Sequence, residues 1–370
     1  MPADPTGPHE HGPHAAEAGF VVGALGRAVR IRISGAGAGT LAPVFADAWA
    51  HLLLDPNAET DHELVLDSPA DTPDSIAAGL AQASALITRA LIDLNAGQGL
   101  LFHAAAAARA DGRAILLVGP SGAGKTTAIT RLAGPHSYLT DETALVGADG
   151  SVLPYAKPLS VERGGPAKAQ HAPSELGLPV ADARHEVDRV IVLNREAGGS
   201  RQPRSRRLDV VESLEALVPQ LSALERHPSP LGALAGLIRQ VGGIELLSYA
   251  DVVDLDPASG PPASPRLTDE ELAYSAVDCD RDEGSGAGLI RTRPSDALEL
   301  ADVLVLAHGS EIRVLAGVAK TLWLEAGAPR SEQELLDRLR AIHGTEPGDA
   351  LALRGAIDVL VDAGVLEWRS

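Results

Sequence analysis

The chain has 370 residues, enough at roughly 150 residues per domain for two or three domains. Its 31 Lys+Arg against 50 Asp+Glu leave a formal charge of -19, which argues against a broad electrostatic footprint for nucleic acid or an anionic membrane; any anionic ligand has to be held locally. The lone Cys279 rules out an internal disulfide, argues against a structural zinc site and fits a reducing compartment.

Residues 1–19 carry no basic stretch followed by an apolar run, so they read as a disordered tail rather than a secretory signal. Arg89, His103, Arg109 and Arg113 interrupt the best apolar stretches before any reaches the roughly 18 residues of a membrane span, so a soluble cytoplasmic protein is expected. Residues 20–99 form an N-terminal α+β subdomain: FVVGALGRAVRIRI alternates as strands do, and Leu80, Ala83, Ile87, Leu91 and Leu94 recur at helical spacing. Across residues 100–255, apolar runs at Ala114–Val118, Val190–Leu193 and Asp251–Leu255 alternate with helical stretches, the pattern of an α/β core. Residues 256–288, rich in Pro, Gly, Ser and acids, read as a flexible linker. In residues 289–370, strand-like pieces at Gly288–Arg293, Ala297–Leu306 and Glu311–Leu315 precede three helices, Gly317–Ala326, one opening at the Ser331/Glu334 capping box, and Gly348–Ala363, which Gly364 stops. Three strands and then three helices make a small α+β unit of winged-helix shape.

The strongest chemical signal follows the buried-strand run Ala114–Val118. Gly119-Pro120-Ser121-Gly122-Ala123-Gly124-Lys125-Thr126 fits the P-loop pattern, with Thr127 opening a helix behind it. The glycines let backbone N–H groups turn inward onto phosphate oxygens, and the helix N-terminus adds partial positive charge. Lys125 is placed to reach the β- and γ-phosphates and Thr126 to put its hydroxyl on Mg²⁺. Ser137–Thr140 reads as a second strand whose tip carries Asp141 and Glu142; one acid can orient the metal while the other takes the proton of an attacking hydroxyl. His103 is a single polar residue in the apolar run LLFHAAA, a pattern that fits a satisfied core histidine better than a catalytic one.

His103 with its alanine-rich strand, the GPSGAGKT loop and an acidic pair sixteen residues past Lys125 resemble the kinase core of HPr kinase/phosphorylase and its relatives. That resemblance implies a P-loop kinase using ATP and Mg²⁺ to phosphorylate a serine hydroxyl, with His103, Lys125, Asp141 and Glu142 in the active site. It also implies Thr126, Asp141 and Glu142 at the metal, and a homo-oligomer. The family's second signature, a Glu- and Gly-rich segment, is not evident; in its place stands Pro154-Tyr-Ala-Lys157-Pro-Leu-Ser160-Val-Glu162-Arg, which puts phosphorylase activity in doubt. Lys157, before Pro158, reads as a solvated loop residue, with contact to nucleotide or substrate phosphate as the alternative; Arg201, Arg204, Arg206 and Arg207 read as a solvated loop, with one arginine stabilising a transferring phosphate as the alternative.

The third C-terminal helix carries one Arg and three acids, which argues against a DNA-recognition helix. The string of strands, Gly317–Trp323, Ser331–Leu336 and the helix closing at Gly364 resembles the PqqD-like domain, a recognition element for ribosomally made, modified peptides. That resemblance implies a leader peptide adding as a strand along Glu311, Ile312, Arg313, Val314 and Leu315 and packing against Leu353 and Ile357. A flexible tether of about thirty residues raises the local substrate concentration toward the millimolar range. Together the two resemblances imply a peptide serine kinase of the lasso-peptide-kinase type acting on a precursor peptide, with no nucleic-acid or membrane partner. The rival expectations are a non-catalytic nucleotide switch that presents the peptide, a regulator of a folded carrier protein, and a small-molecule kinase.

Overall fold

A computed structural model describes residues 17–132, 136–161, 169–196, 198–199, 202–254, 263–282, 286–344 and 349–369. Most of the expected tail (1–16), Glu162 and Arg201 lie outside them. The architecture is mixed α/β, with several sheets and eight α-helices among the described residues.

Strands β1 (Ala18–Ala24) and β2 (Arg27–Ser34) form an antiparallel hairpin whose turn residues Leu25 and Gly26 both have positive φ, 52° and 72°. Positive φ at both central residues matches the right-handed twist of the flanking strands. Helix α1 (Ala38–Ala48) leads to β3 (His62–Asp67), parallel to β2, and then to α2 (Pro73–Asn95). The Thr72 hydroxyl accepts the Ser75 amide at the start of α2, and Pro73 occupies the first turn, where no N–H is missed. By length and composition α2 is the one described helix that could cross a membrane, but half of its apolar window is buried, with Ile76, Leu80, Ala83, Ile87 and Leu91 in the subdomain core.

The central sheet grows from β4 (Leu100–Ala108) and β5 (Arg113–Val118), paired antiparallel; α3 (Lys125–Leu132) follows β5. Strands β6 (Ser137–Thr140) and β7 (Thr143–Val146) both pair with β4, and β8 (Ser151–Leu153) with β7. Then come the short pair β9 (Leu159–Val161) and β10 (Ala169–His171), and β11 (His185–Arg195), parallel to β5. Strand β12 (Arg204–Arg207), α4 (Val210–Leu217), β13 (Leu221–Ser222), α5 (Pro230–Val241) and β14 (Glu245–Tyr249) complete this region. Residues Asp251–Leu255, expected as a strand, instead include a 3-10 turn at Val252–Asp254. The strand lies just upstream, in β14, whose buried face includes a charged residue: Glu245 is 1% exposed and takes a bidentate pair from Arg189 at 2.8 and 2.9 Å. Small side chains on both faces of β4 let α4 and α5 pack on one side of the sheet and α3 on the other.

Beyond the core lie β15 (Ser275–Ala276), β16 (Gly288–Arg291), β17 (Asp296–Leu300), β18 (Val303–His308), β19 (Glu311–Ala316), α6 (Gly317–Glu325), α7 (Glu332–His343), α8 (Asp349–Asp362) and β20 (Leu366–Arg369). The expected single strand Ala297–Leu306 is two strands, β17 and β18, turned at Ala301 with φ 45°. The sheet order is β15-β17-β18-β19, and β16 pairs with β20 as a separate ribbon. The capping box at Ser331 and Glu334 is present, and Gly364 has φ 67° at the stop.

Where described, residues 256–288 are packed against both neighbours instead of free. Leu272 is 4% exposed in the main core, Arg207 donates to the carbonyls of Ser264 and Pro265, and the Val277 amide bonds Ala297. The same core includes Leu298, Leu300, Val305 and Ala307 of the C-terminal sheet. A tether read from composition is therefore a strap held by apolar anchors and carbonyl acceptors. Asp296 of β17 also caps α5 in the neighbouring unit, accepting the Leu231 and Gly232 amides at 2.9 and 3.1 Å and the Ser229 hydroxyl at 3.0 Å. Replacing Asp296 with alanine is expected to cost about 0.5–2 kcal/mol, read as a lower midpoint in chemical denaturation.

Candidate active site

The apolar residues of β5 are at most 4% exposed, so the strand holds the start of the loop rigidly, and the chain then turns through Gly119–Gly124 into α3. Gly122 and Gly124 take φ of 83° and 92°, and a Cβ on Gly124 would stand 2.7 Å from Val252 Cγ2. Only glycine fits there without strain. The Tyr249 hydroxyl donates to the Ala123 carbonyl, so β14 and the turn after it brace the loop from behind.

Strands β6 and β7 pair with β4 on one register line, Ala106 with Thr140 and His103 with Thr143, and Asp141 and Glu142 occupy the turn between them. His103 is the one exposed residue of β4. The fold thus brings His103, Lys125, Thr126, Asp141 and Glu142 to one cleft of about 770 Å³, lined also by Ser121, Thr127, Lys157, Ser160 and Arg195. The reading of His103 as a satisfied core residue does not describe this side chain.

Charge is densely arranged in the cleft. Lys125 Nζ donates to the carbonyl of Gly119 at 2.6 Å and of Pro120 at 3.2 Å; burial lowers its pKa, against the nearby charge of Asp141. Thr126 Oγ1 donates to Asp141 Oδ2 at 3.2 Å, and Tyr138 Oη donates to Asp141 Oδ1 at 2.9 Å. Burial, with the adjacent carboxylate, pushes the Tyr138 phenol well above its usual range, so it remains a donor. Partial burial and the Lys125 charge lower the pKa of His103, against the pull of Glu142; at neutral pH its ring is uncharged.

Lys157 is not the solvated residue its sequence context suggests. It is 2% exposed, with Nζ 2.8 Å from Glu142 Oε2 and 3.5 Å from Asp141 Oδ1, and it donates to the Pro158 carbonyl at 3.2 Å. Burial opposes its charge, but the two carboxylates outweigh that and raise its pKa. The signal for this placement was the apolar run before it, since Tyr155 and Ala156 are both buried. Arg195 was also missed; it ends β11, the parallel neighbour of β5, and ligands gather outside the carboxyl ends of such strands. The described arginines of the basic group do not line the cleft: Arg206 pairs with Glu212 at 2.9 Å and Arg207 binds backbone carbonyls beside Glu245.

Thr126 and Asp141 fit a divalent ion. Oxygens bound to Mg²⁺ at 2.0–2.1 Å stand about 3 Å apart when adjacent, and Thr126 Oγ1 and Asp141 Oδ2 are 3.2 Å apart. Among the described residues, no three His, Cys, Asp or Glu side chains are grouped so that they could hold a metal ion.

In the C-terminal unit β19 is the end strand of its sheet, with Glu311 and Val314 exposed and Ile312 and Arg313 half-buried. Leu315, Leu353 and Ile357, expected on the docking face, are 6%, 4% and 2% exposed and belong to the unit's own core, so they supply packing and not an open surface. Val314, Leu351 and Val359 are large apolar residues exposed on β19 and α8.

A family model described as "SynChlorMet cassette protein ScmC" matches residues 74–160, from α2 to β9 and through the P-loop. It covers under a quarter of the chain. Among solved structures, the Hpr(Ser) kinase/phosphatase from Coxiella burnetii is similar over 41% of this chain and 85% of that one, at 14% identity and a TM-score of 0.25. No curated protein matches.

Proposed function

We propose that this protein is a kinase that transfers the γ-phosphoryl group of ATP to a serine or threonine hydroxyl of a ribosomally made precursor peptide. The observation that carries the reading is the convergence of the P-loop, its Lys125 and the adjacent acids Asp141 and Glu142 on one cleft. ATP supplies the group that moves, and Mg²⁺ spreads the negative charge on its phosphates. Loop amides from Gly119 to Thr126 hold the phosphates, Lys125 follows the developing charge, and Thr126 with Asp141 holds the ion. Glu142, whose side chain is 41% exposed toward solvent, accepts the hydroxyl proton. The hydroxyl oxygen forms its bond to γ-phosphorus as the bond to the β-phosphate oxygen breaks and ADP leaves. His103, neutral and exposed beside Glu142, is placed to orient the acceptor.

A peptide acceptor is favoured because β19 is an end strand to which an extended segment can add, with Val314 exposed along it. The test is incubation of the full chain with ATP, Mg²⁺ and the peptide encoded by a neighbouring short reading frame, followed by mass spectrometry and ADP measurement. One added phosphate per ADP released is expected. ADP without phosphopeptide means transfer to water, and ADP formed only when a small molecule or a folded carrier protein replaces the peptide points to that acceptor. Nucleotide binding without ADP release points to a presenting switch. Each of these outcomes overturns the peptide-kinase reading.

A further inference from the structure

The two oxygens of Asp141 face different partners. Oδ2 meets the Thr126 hydroxyl at the edge where one divalent ion fits. Oδ1 meets Tyr138 Oη and, at 3.5 Å, the ammonium of Lys157, which also reaches Glu142 Oε2 at 2.8 Å. In two-metal phosphoryl-transfer centres the ions lie about 3.5–4 Å apart and share carboxylate ligands. Here the far side of the shared carboxylate, and the neighbouring Glu142, are already spanned by a cation that belongs to the chain. Lys157 is 2% exposed and its ammonium has a third acceptor in the Pro158 carbonyl, so packing and hydrogen bonds hold it at that position.

We infer that the Lys157 ammonium occupies the place of a second metal ion, so that the centre takes a single divalent cation per nucleotide. The inference rests on the kinase reading above, since it assumes a nucleotide in the P-loop. Lys157 is a positioning residue: it balances the paired carboxylates without binding phosphate, and it holds one Glu142 oxygen so that the other is available to the acceptor hydroxyl.

The test counts Mn²⁺ bound to the full chain saturated with a non-hydrolysable ATP analogue, from the electron paramagnetic resonance of the free ion. Wild-type protein is expected to reach one Mn²⁺ per bound nucleotide. Lys157→Met keeps an unbranched chain one atom shorter and removes the charge; it is expected to double the count to two, while Lys157→Arg keeps it at one. Two Mn²⁺ per nucleotide in the wild type overturns the inference without any variant and leaves the kinase reading standing. A count that stays at one in a folded Lys157→Met, checked by circular dichroism, also overturns it. Failure of the wild type to bind the analogue overturns the kinase reading itself.

Discussion

Lys125→Ala is expected to lower phosphate transfer about a hundred- to a thousand-fold, the usual cost of removing one donor from a preorganised anion site. Its ammonium is held on the Gly119 and Pro120 carbonyls in a largely buried position. Alanine leaves those acceptors in place and removes the only lysine of the loop. The loss should appear mainly in kcat, because loop amides still bind the nucleotide while the charge that follows the γ-phosphoryl group is gone. Steady-state kinetics with the peptide acceptor, alongside binding of a fluorescent nucleotide, checks this. Weaker nucleotide binding with kcat unchanged would mean that Lys125 holds the ground state as tightly as the transition state.

Glu142→Gln is expected to slow turnover by about 10²–10⁴-fold while Mn²⁺ and nucleotide binding persist, since glutamine keeps the shape but cannot take a proton. Asp141→Asn should act differently. Asp141 is buried between the Thr126 and Tyr138 hydroxyls, so asparagine there weakens the metal edge and raises the Mg²⁺ concentration needed for half-maximal rate. Titrating Mg²⁺ against rate for both variants separates the roles. If Glu142→Gln instead shifts the metal requirement and Asp141→Asn spares it, the assignment is reversed.

Much of this arrangement was legible in the order of residues because its signals are local. The buried strand Ala114–Val118, the glycines after it and the helix opening at Lys125 lie within one short stretch, and each has a backbone reason. The Ser331/Glu334 capping box is likewise a matter of three residues. What stayed hidden depends on distant partners. Lys157 looks solvated until the two acids of the β6–β7 turn fold over it. Glu245 disguises a strand because Arg189, 56 residues away, neutralises it. The turn at Ala301 and Asp302 carries no Gly, Pro or Asn, and its left-handed residue is an alanine, so the single Asp is its one sequence mark. Composition concealed the strap as well: one buried Leu272 and a few carbonyls outweigh the prolines around them.

That strap, together with Asp296 at the head of α5, alters how any shortened form of this protein would behave. Leu298, Leu300, Val305 and Ala307 share one apolar cluster with α4 and α5, so cutting the chain near residue 289 would peel a sheet from those helices and lay bare a greasy wound on the larger fragment. Both halves are thereby expected to melt in a single cooperative step, and an inactive truncation would report a damaged scaffold. Testing whether the C-terminal unit binds a peptide calls for single exchanges at outward-facing positions such as Val314, Leu351 or Val359, which leave the shared interior whole.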